Sequence, residues 1–133
     1  MAVVGLDHYA LLSSDPERTT LFYTGIVGLR VGPRPELSFP GIWLYAGDHP
    51  IVHVIFGKSI PSKETGAVDH LAFVARGSVD NTLETLKRNG IEFSSRVIER
   101  TGVTQVFFRD PDNVGVELNF APAERSSAAG KGG

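Results

Sequence analysis

Apolar and polar positions along the chain follow strand-like and helix-like patterns in an order that occurs twice. Residues 3–12 are rich in Val and Leu and read as a strand. Ser14-Asp15-Pro16-Glu17 then supplies an N-cap, a proline for the first helical turn and an early acid. The helix carries Thr20, Phe22, Tyr23 and Ile26 toward Gly28, which suits a C′ position. Three strands are expected next, at about 29–36, 42–46 and 51–56. The second half repeats the order. A strand at 67–75 precedes a helix at about 79–89, where Val79, Leu83 and Leu86 keep a helical spacing that stops at Gly90. Strands near 91–98, 103–108 and 114–120 complete the unit. Each half is therefore βαβββ, and the expected fold class is α+β.

The two halves also match residue by residue. Leu6-Asp7-His8-Tyr9-Ala10-Leu11 lies on Val68-Asp69-His70-Leu71-Ala72-Phe73 at an offset of 62 residues (8 to 70). The same offset brings Gly28 onto Gly90 and Arg34 onto Arg96. At the ends of the halves the offset is 64 (53 to 117): Asp48 falls on Asp112, Val52 on Val116, His53 on Glu117, Val54 on Leu118 and Phe56 on Phe120. A two-residue difference in the middle loops accounts for the change, and the preserved order argues for an internal duplication.

Composition narrows the function classes. A chain of 133 residues fits one domain, here 1–120, built of modules at about 3–60 and 66–120. Residues 121–133, APAERSSAAGKGG, are small and polar and are expected to form a flexible tail. The net charge of −2 and the lack of a basic stripe point away from nucleic acid. The absence of cysteine excludes disulfides, zinc–thiolate sites and a cysteine nucleophile. No apolar run approaches the roughly 20 residues that span a bilayer. The first residues, MAVVGLDHYA, lack the basic and apolar regions of a secretory signal, so a cytoplasmic protein with a small-molecule partner is expected.

Each half opens on a strand bearing a histidine and closes on one bearing a ligand-type residue. A pseudo-twofold between like units would place His8, His53, His70 and Glu117 at equivalent positions around its axis. Strands that curl together could then bring all four side chains to one divalent cation. Strand parity agrees: His53 alternates with Val52 and Val54, and Glu117 with Val116 and Leu118. Small residues beside the histidines, Ala10 and Ala72, leave room for a metal and a ligand. Three imidazoles and a carboxylate suit iron, nickel, cobalt, zinc or manganese; two histidines with Glu117 alone would form a facial triad. Taken singly, the same residues have plainer readings: a surface histidine at His8 or His70, a hydrogen-bonded core histidine at His53, an edge glutamate at Glu117. His49, in Gly47-Asp48-His49-Pro50, is read as a turn residue, and 110–113 as a tight turn. Arg34 and Arg96 are read as solvated strand arginines, with binding of an anionic substrate as the alternative. Trp43, Phe107 and Phe108 are read as core or pocket wall.

From residue 4 to residue 120 the chain resembles the vicinal oxygen chelate superfamily, which includes glyoxalase I, type I extradiol dioxygenases, methylmalonyl-CoA epimerase and the fosfomycin and bleomycin resistance proteins. The resemblance is carried by LDHYAL with Phe22-Tyr23 and Gly28-Leu29, by VDHLAF, and by FFRDPDNVGVELNF. It implies paired βαβββ modules forming an open, U-shaped β-barrel around a metal, and a homodimer whose sites are sometimes built across two chains. It places ligands at His8, His70 and Glu117, with His53 at the fourth position. Glyoxalase I and the epimerase typically use Glu or Gln as a ligand there, whereas extradiol dioxygenases use a histidine that handles protons. The extradiol pattern would also carry a tyrosine at Phe107 and a histidine upstream, and 98–106 contains none. The usual glycine after Asp-Pro-Asp is Asn113.

The function expected is a divalent-metal-dependent enzyme, of isomerase or lyase type or a ring-cleaving dioxygenase, acting on a small substrate chelated through vicinal oxygens. His53 and Glu117 are its proton-handling candidates. The alternative is a non-catalytic small-molecule or antibiotic-binding protein of the bleomycin-resistance type.

Overall fold

The computed structural model describes residues 1–62 and 64–122. Most of the expected flexible tail, from residue 123 on, lies outside the described residues. The chain divides into two compact units, Met1–Lys63 and Glu64–Gly133.

In the first unit β1 (Tyr9–Ser13) leads into α1 (Pro16–Leu21), which continues as a π-helical turn over Phe22–Ile26 before β2 (Arg30–Gly32), β3 (Gly41–Ala46) and β4 (His49–Phe56). The second unit has β5 (His70–Ala75), α2 (Val79–Arg88), β6 (Ser94–Val97), β7 (Thr104–Arg109) and β8 (Gly115–Phe120). Both sheets have one topology, β1-β4-β3-β2 and β5-β8-β7-β6. The outer pairs β1/β4 and β5/β8 are parallel and the rest antiparallel. The α+β class and the duplicated βαβββ unit expected from the pattern are thus the observed architecture.

Local chemistry explains the boundaries. Asp15 caps α1 by accepting from the Arg18 amide at 3.1 Å, and Pro16 follows at the first helical position. The helix ends at Gly28, whose φ of +89° is open to a residue without Cβ. The second helix ends likewise, with Ile91 N–H donating to the Leu86 carbonyl past Gly90 at φ +67°. Four strands, β1, β2, β5 and β6, are shorter than expected, the last two covering 70–75 instead of 67–75 and 94–97 instead of 91–98. β1 starts only at Tyr9, so His8 precedes the strand rather than lying in it. β2 stops at Gly32 because Pro33 and Pro35 remove amide donors and restrict the residues before them.

Alternation sorts each sheet into two faces. In the first unit Leu11, Leu44, Val52 and Val54 are buried with Phe22 and Tyr23. In the second, Leu71, Val106, Phe108, Val116, Leu118 and Phe120 are buried, as is Leu86 of α2. Each such side chain stabilises by roughly 1.5–3 kcal/mol on burial, which decides which face turns inward. The intervening residues, Trp43 and His53 in one sheet and His70, Gln105, Phe107 and Glu117 in the other, take the opposite face.

The register repeats as well. Ala10 pairs with His53 across β1/β4, and Ala72 pairs with Glu117 across β5/β8. The Asp110–Asn113 segment is the tight turn expected. The Asp110 carboxylate accepts from the amides of Asp112 and Val114, both at 2.8 Å, and Asn113 adopts φ +70°.

Candidate metal centre

His8 sits one residue before β1. Its Nδ1–H donates to Asp7 Oδ2 at 2.7 Å, and the backbone carbonyl of Asp7 is bonded to Nε2 of His49. His49, read from sequence as a plain turn residue, therefore tethers the segment that carries His8. The His8 ring lies flat on that of His53, with centroids 3.8 Å apart and planes 10° from parallel. On its other side His53 stacks on Trp43, its partner across β3/β4, at 4.1 Å and 11°. Trp43 is thus a stacking partner rather than simple core or wall. The cross-strand register, invisible in a linear reading, puts it there.

His53 Nε2 donates to the Pro50 carbonyl at 3.0 Å, which leaves the lone pair on Nδ1. Loss of water around the ring, followed by the charge of His8, pushes the His53 imidazole below its ordinary value near 6.5. The hydrogen bond from His8 holds the Asp7 carboxyl below its usual range.

The second unit holds a similar but distinct arrangement. His70 opens β5, and its Nδ1–H donates to Asp69 Oδ2 at 2.7 Å. That bond likewise lowers the Asp69 carboxyl. Nε2 of His70 stands 3.0 Å from Glu117 Oε1. Glu117 is only 8% exposed, and a carboxylate so buried needs donors. It has them: Oε2 accepts from Gln105 Nε2 at 3.2 Å and from Asn119 Nδ2 at 2.6 Å. Phe107, opposite Glu117 in the ladder, turns its ring edge-on to His70 at 6.3 Å.

The structure therefore brings His8 to His53 in one unit and His70 to Glu117 in the other. Among the described residues no group of three or more His, Asp or Glu side chains is arranged so that it could hold a metal ion. The side chains of each pair are nonetheless of types that divalent metals take as ligands. A carboxylate on Nδ1 fixes the tautomer and directs the Nε2 lone pair outward, the usual outer-shell support of a ligating histidine. The sequence reading missed Asp7 and Asp69 in this role, although the Asp-His dipeptide occurs in both copies. It also missed Gln105, for which no local signal existed.

Comparison with known proteins gives these pairs a family. Residues 5–118 match the model of the Glyoxalase/Bleomycin resistance protein/Dioxygenase superfamily. The chain belongs to that superfamily. It is similar to Glyoxylase I 4 of Arabidopsis thaliana, 29% identical over 127 residues, covering 87% of this chain and 70% of the relative. It is also 29% identical over 126 residues to the uncharacterized protein YwkD of Bacillus subtilis, covering 89% of this chain and 98% of that protein. Among solved structures, the superfamily fold is shared with a glyoxylase/bleomycin resistance protein/dioxygenase domain from a Frankia species. Its TM-score is 0.71 at 19% identity, covering 90% of this chain and 93% of that one. A fosfomycin resistance protein, FosX, from Listeria monocytogenes has a TM-score of 0.69 at 22% identity, covering 90% and 95%. Among the described residues no helix is long and apolar enough to cross a membrane.

Proposed function

We propose that the protein is a divalent-metal-dependent enzyme acting on a small substrate that offers two adjacent oxygens. His8, His70 and Glu117 would hold the metal, with His53 at the fourth position. The observation that carries this is the duplicated Asp–His pair, Asp7–His8 and Asp69–His70, with Glu117 Oε1 facing the outward nitrogen of the second. When bound, the metal would polarise the substrate oxygens and stabilise negative charge developing on them.

The chain's own residues do the rest. Asp7 and Asp69 keep the Nδ1 protons of His8 and His70 in place, so that Nε2 is the donor atom of each. Gln105 and Asn119 hold Glu117 Oε2 and leave Oε1 as its working oxygen. Burial lowers the proton affinity of His53, and Pro50 leaves its Nδ1 free to accept a proton. Removal of a proton beside a chelated oxygen is isomerase or lyase chemistry. The Phe107 ring, which has no hydroxyl, supports that over ring cleavage. The two units would act as one domain, and the resemblance supports a homodimer, which light scattering at micromolar concentration tests.

A metal-free binding protein of the resistance type is the second reading. It is favoured by the face-to-face stacking of His8 on His53, which does not aim their nitrogens at a common point. Elemental analysis of protein purified without chelator or affinity-tag metal decides between the two. About one equivalent of nickel, cobalt, zinc, manganese or iron supports the enzyme. No metal even after reconstitution leaves the binding protein.

A further inference from the structure

Arg34 and Arg96 stand at matching places in the duplicated sequence, but the structure uses them differently. Arg34 donates from a terminal nitrogen to the Phe39 carbonyl at 2.8 Å, with its guanidinium 5.3 Å from the Phe39 ring. Its hydrogen-bonding end is turned onto its own loop.

Arg96 lies on β6, opposite Gln105 of β7, and Gln105 in turn lies opposite Asn119 of β8. It donates from Nε to Gln105 Oε1 at 2.8 Å, and its guanidinium carbon sits 5.4 Å over the Phe107 ring. Gln105 cannot turn away without loss, because its amide nitrogen donates to both Glu117 Oε2 and Asn119 Oδ1. Thus one amide ties the arginine to the carboxylate of the candidate centre. An aromatic face and one hydrogen bond hold the guanidinium in place, which suits its planar shape. Among the described residues no carboxylate pairs with Arg96, and its two terminal nitrogens make no hydrogen bond. A solvated surface arginine has no need of such support. An anion receptor does, because a preset fork loses less freedom when it meets a planar oxyanion.

We propose that Arg96 is an anion-recognition residue, binding a carboxylate or phosphate-type group of a small-molecule ligand on the Glu117 face of the second sheet. The ligand would then be a substrate with a charged group set apart from its chelating oxygens. This inference rests on the small-molecule reading of the site, but not on the presence of a metal.

The test uses the full chain without metal and inorganic phosphate as the probe, so its result stands apart from whether the chain binds metal. Phosphate is titrated at constant ionic strength while the Arg96 Nε–H resonance and the Gln105 and Asn119 side-chain amides are followed by NMR. A single guanidinium fork should give a saturating Arg96 shift with a Kd on the order of 10 mM. In Arg96→Gln the phosphate-dependent shifts of Gln105 and Asn119 should vanish. An Arg96 response that stays linear up to about 100 mM would overturn the proposal, as would amide shifts of equal size in Arg96→Gln.

Discussion

Nε2 of His70 and Oε1 of Glu117 lie 3.0 Å apart although the two residues are not opposite one another in the ladder. His70 faces Gly115, and Glu117 faces Ala72. The pair is therefore diagonal, formed across positions that carry no bulk. A Cβ at residue 115 would stand 2.8 Å from the Cβ of His70 and 2.6 Å from the Asp69 carbonyl.

Gly115→Ala is therefore expected to push His70 from its place. Overpacking of this kind costs about 1–3 kcal/mol, read as a lowered denaturation midpoint with an unchanged slope. Equal midpoints would mean that β8 shifts without cost.

If the duplicated histidines hold a metal, His70→Ala and Glu117→Ala should each lose it. Metal content near one equivalent in both variants would refute the assignment. His49→Ala keeps every proposed donor and should retain the metal, with any loss of affinity traceable to the freed Asp7 segment.

Asp69→Asn leaves all donors in place but weakens the acceptor that orients His70. Metal affinity should fall by about 10–100-fold, measured by competition with a chromophoric chelator. An unchanged affinity would show that the Asp69 bond does not orient the ring.

The pH dependence of metal-free stability has a defined sign. His53 has a lower pKa folded than unfolded, so between the two values the unfolded chain holds more protons. The His53 contribution is complete above about 6.5 and is lost as pH falls through the lower folded value. Asp7 and Asp69 are also lowered; their contributions are complete above about 3.9 and are lost in more acidic solution. Denaturation midpoints should thus begin to decline just below pH 6.5, and His53→Phe should flatten that first decline. A decline of equal steepness in His53→Phe would place its origin elsewhere.

Much of the fold was legible in the order of residues. Asp15-Pro16 marked the first helix, Gly28 and Gly90 marked both helix ends, and alternation around Val52 and Val116 assigned the buried faces. Local sterics and a two-residue period govern these features, so a linear reading reaches them. The strand expected through 29–36 failed where Pro33 and Pro35 outweighed neighbouring strand formers. The duplication singled out His8, His53, His70 and Glu117 as candidates, because equivalent positions in like units recur in the same order, here at offsets of 62 (8 to 70) and 64 (53 to 117).

The sequence by itself determined the twice-written βαβββ order, the inward faces of both sheets and the candidate donors. Only the tertiary structure decided what those donors touch. Gln105 reaches Glu117, 12 positions further along the sequence, and Trp43 meets His53 across a hairpin. Both contacts depend on strand register, which the packing of entire faces sets and no short run of residues encodes. The same dependence separates Arg96 from Arg34: alike in the repeat, they differ because only Arg96 has a glutamine opposite it in the ladder, and a phenylalanine further along that facing strand, to hold it.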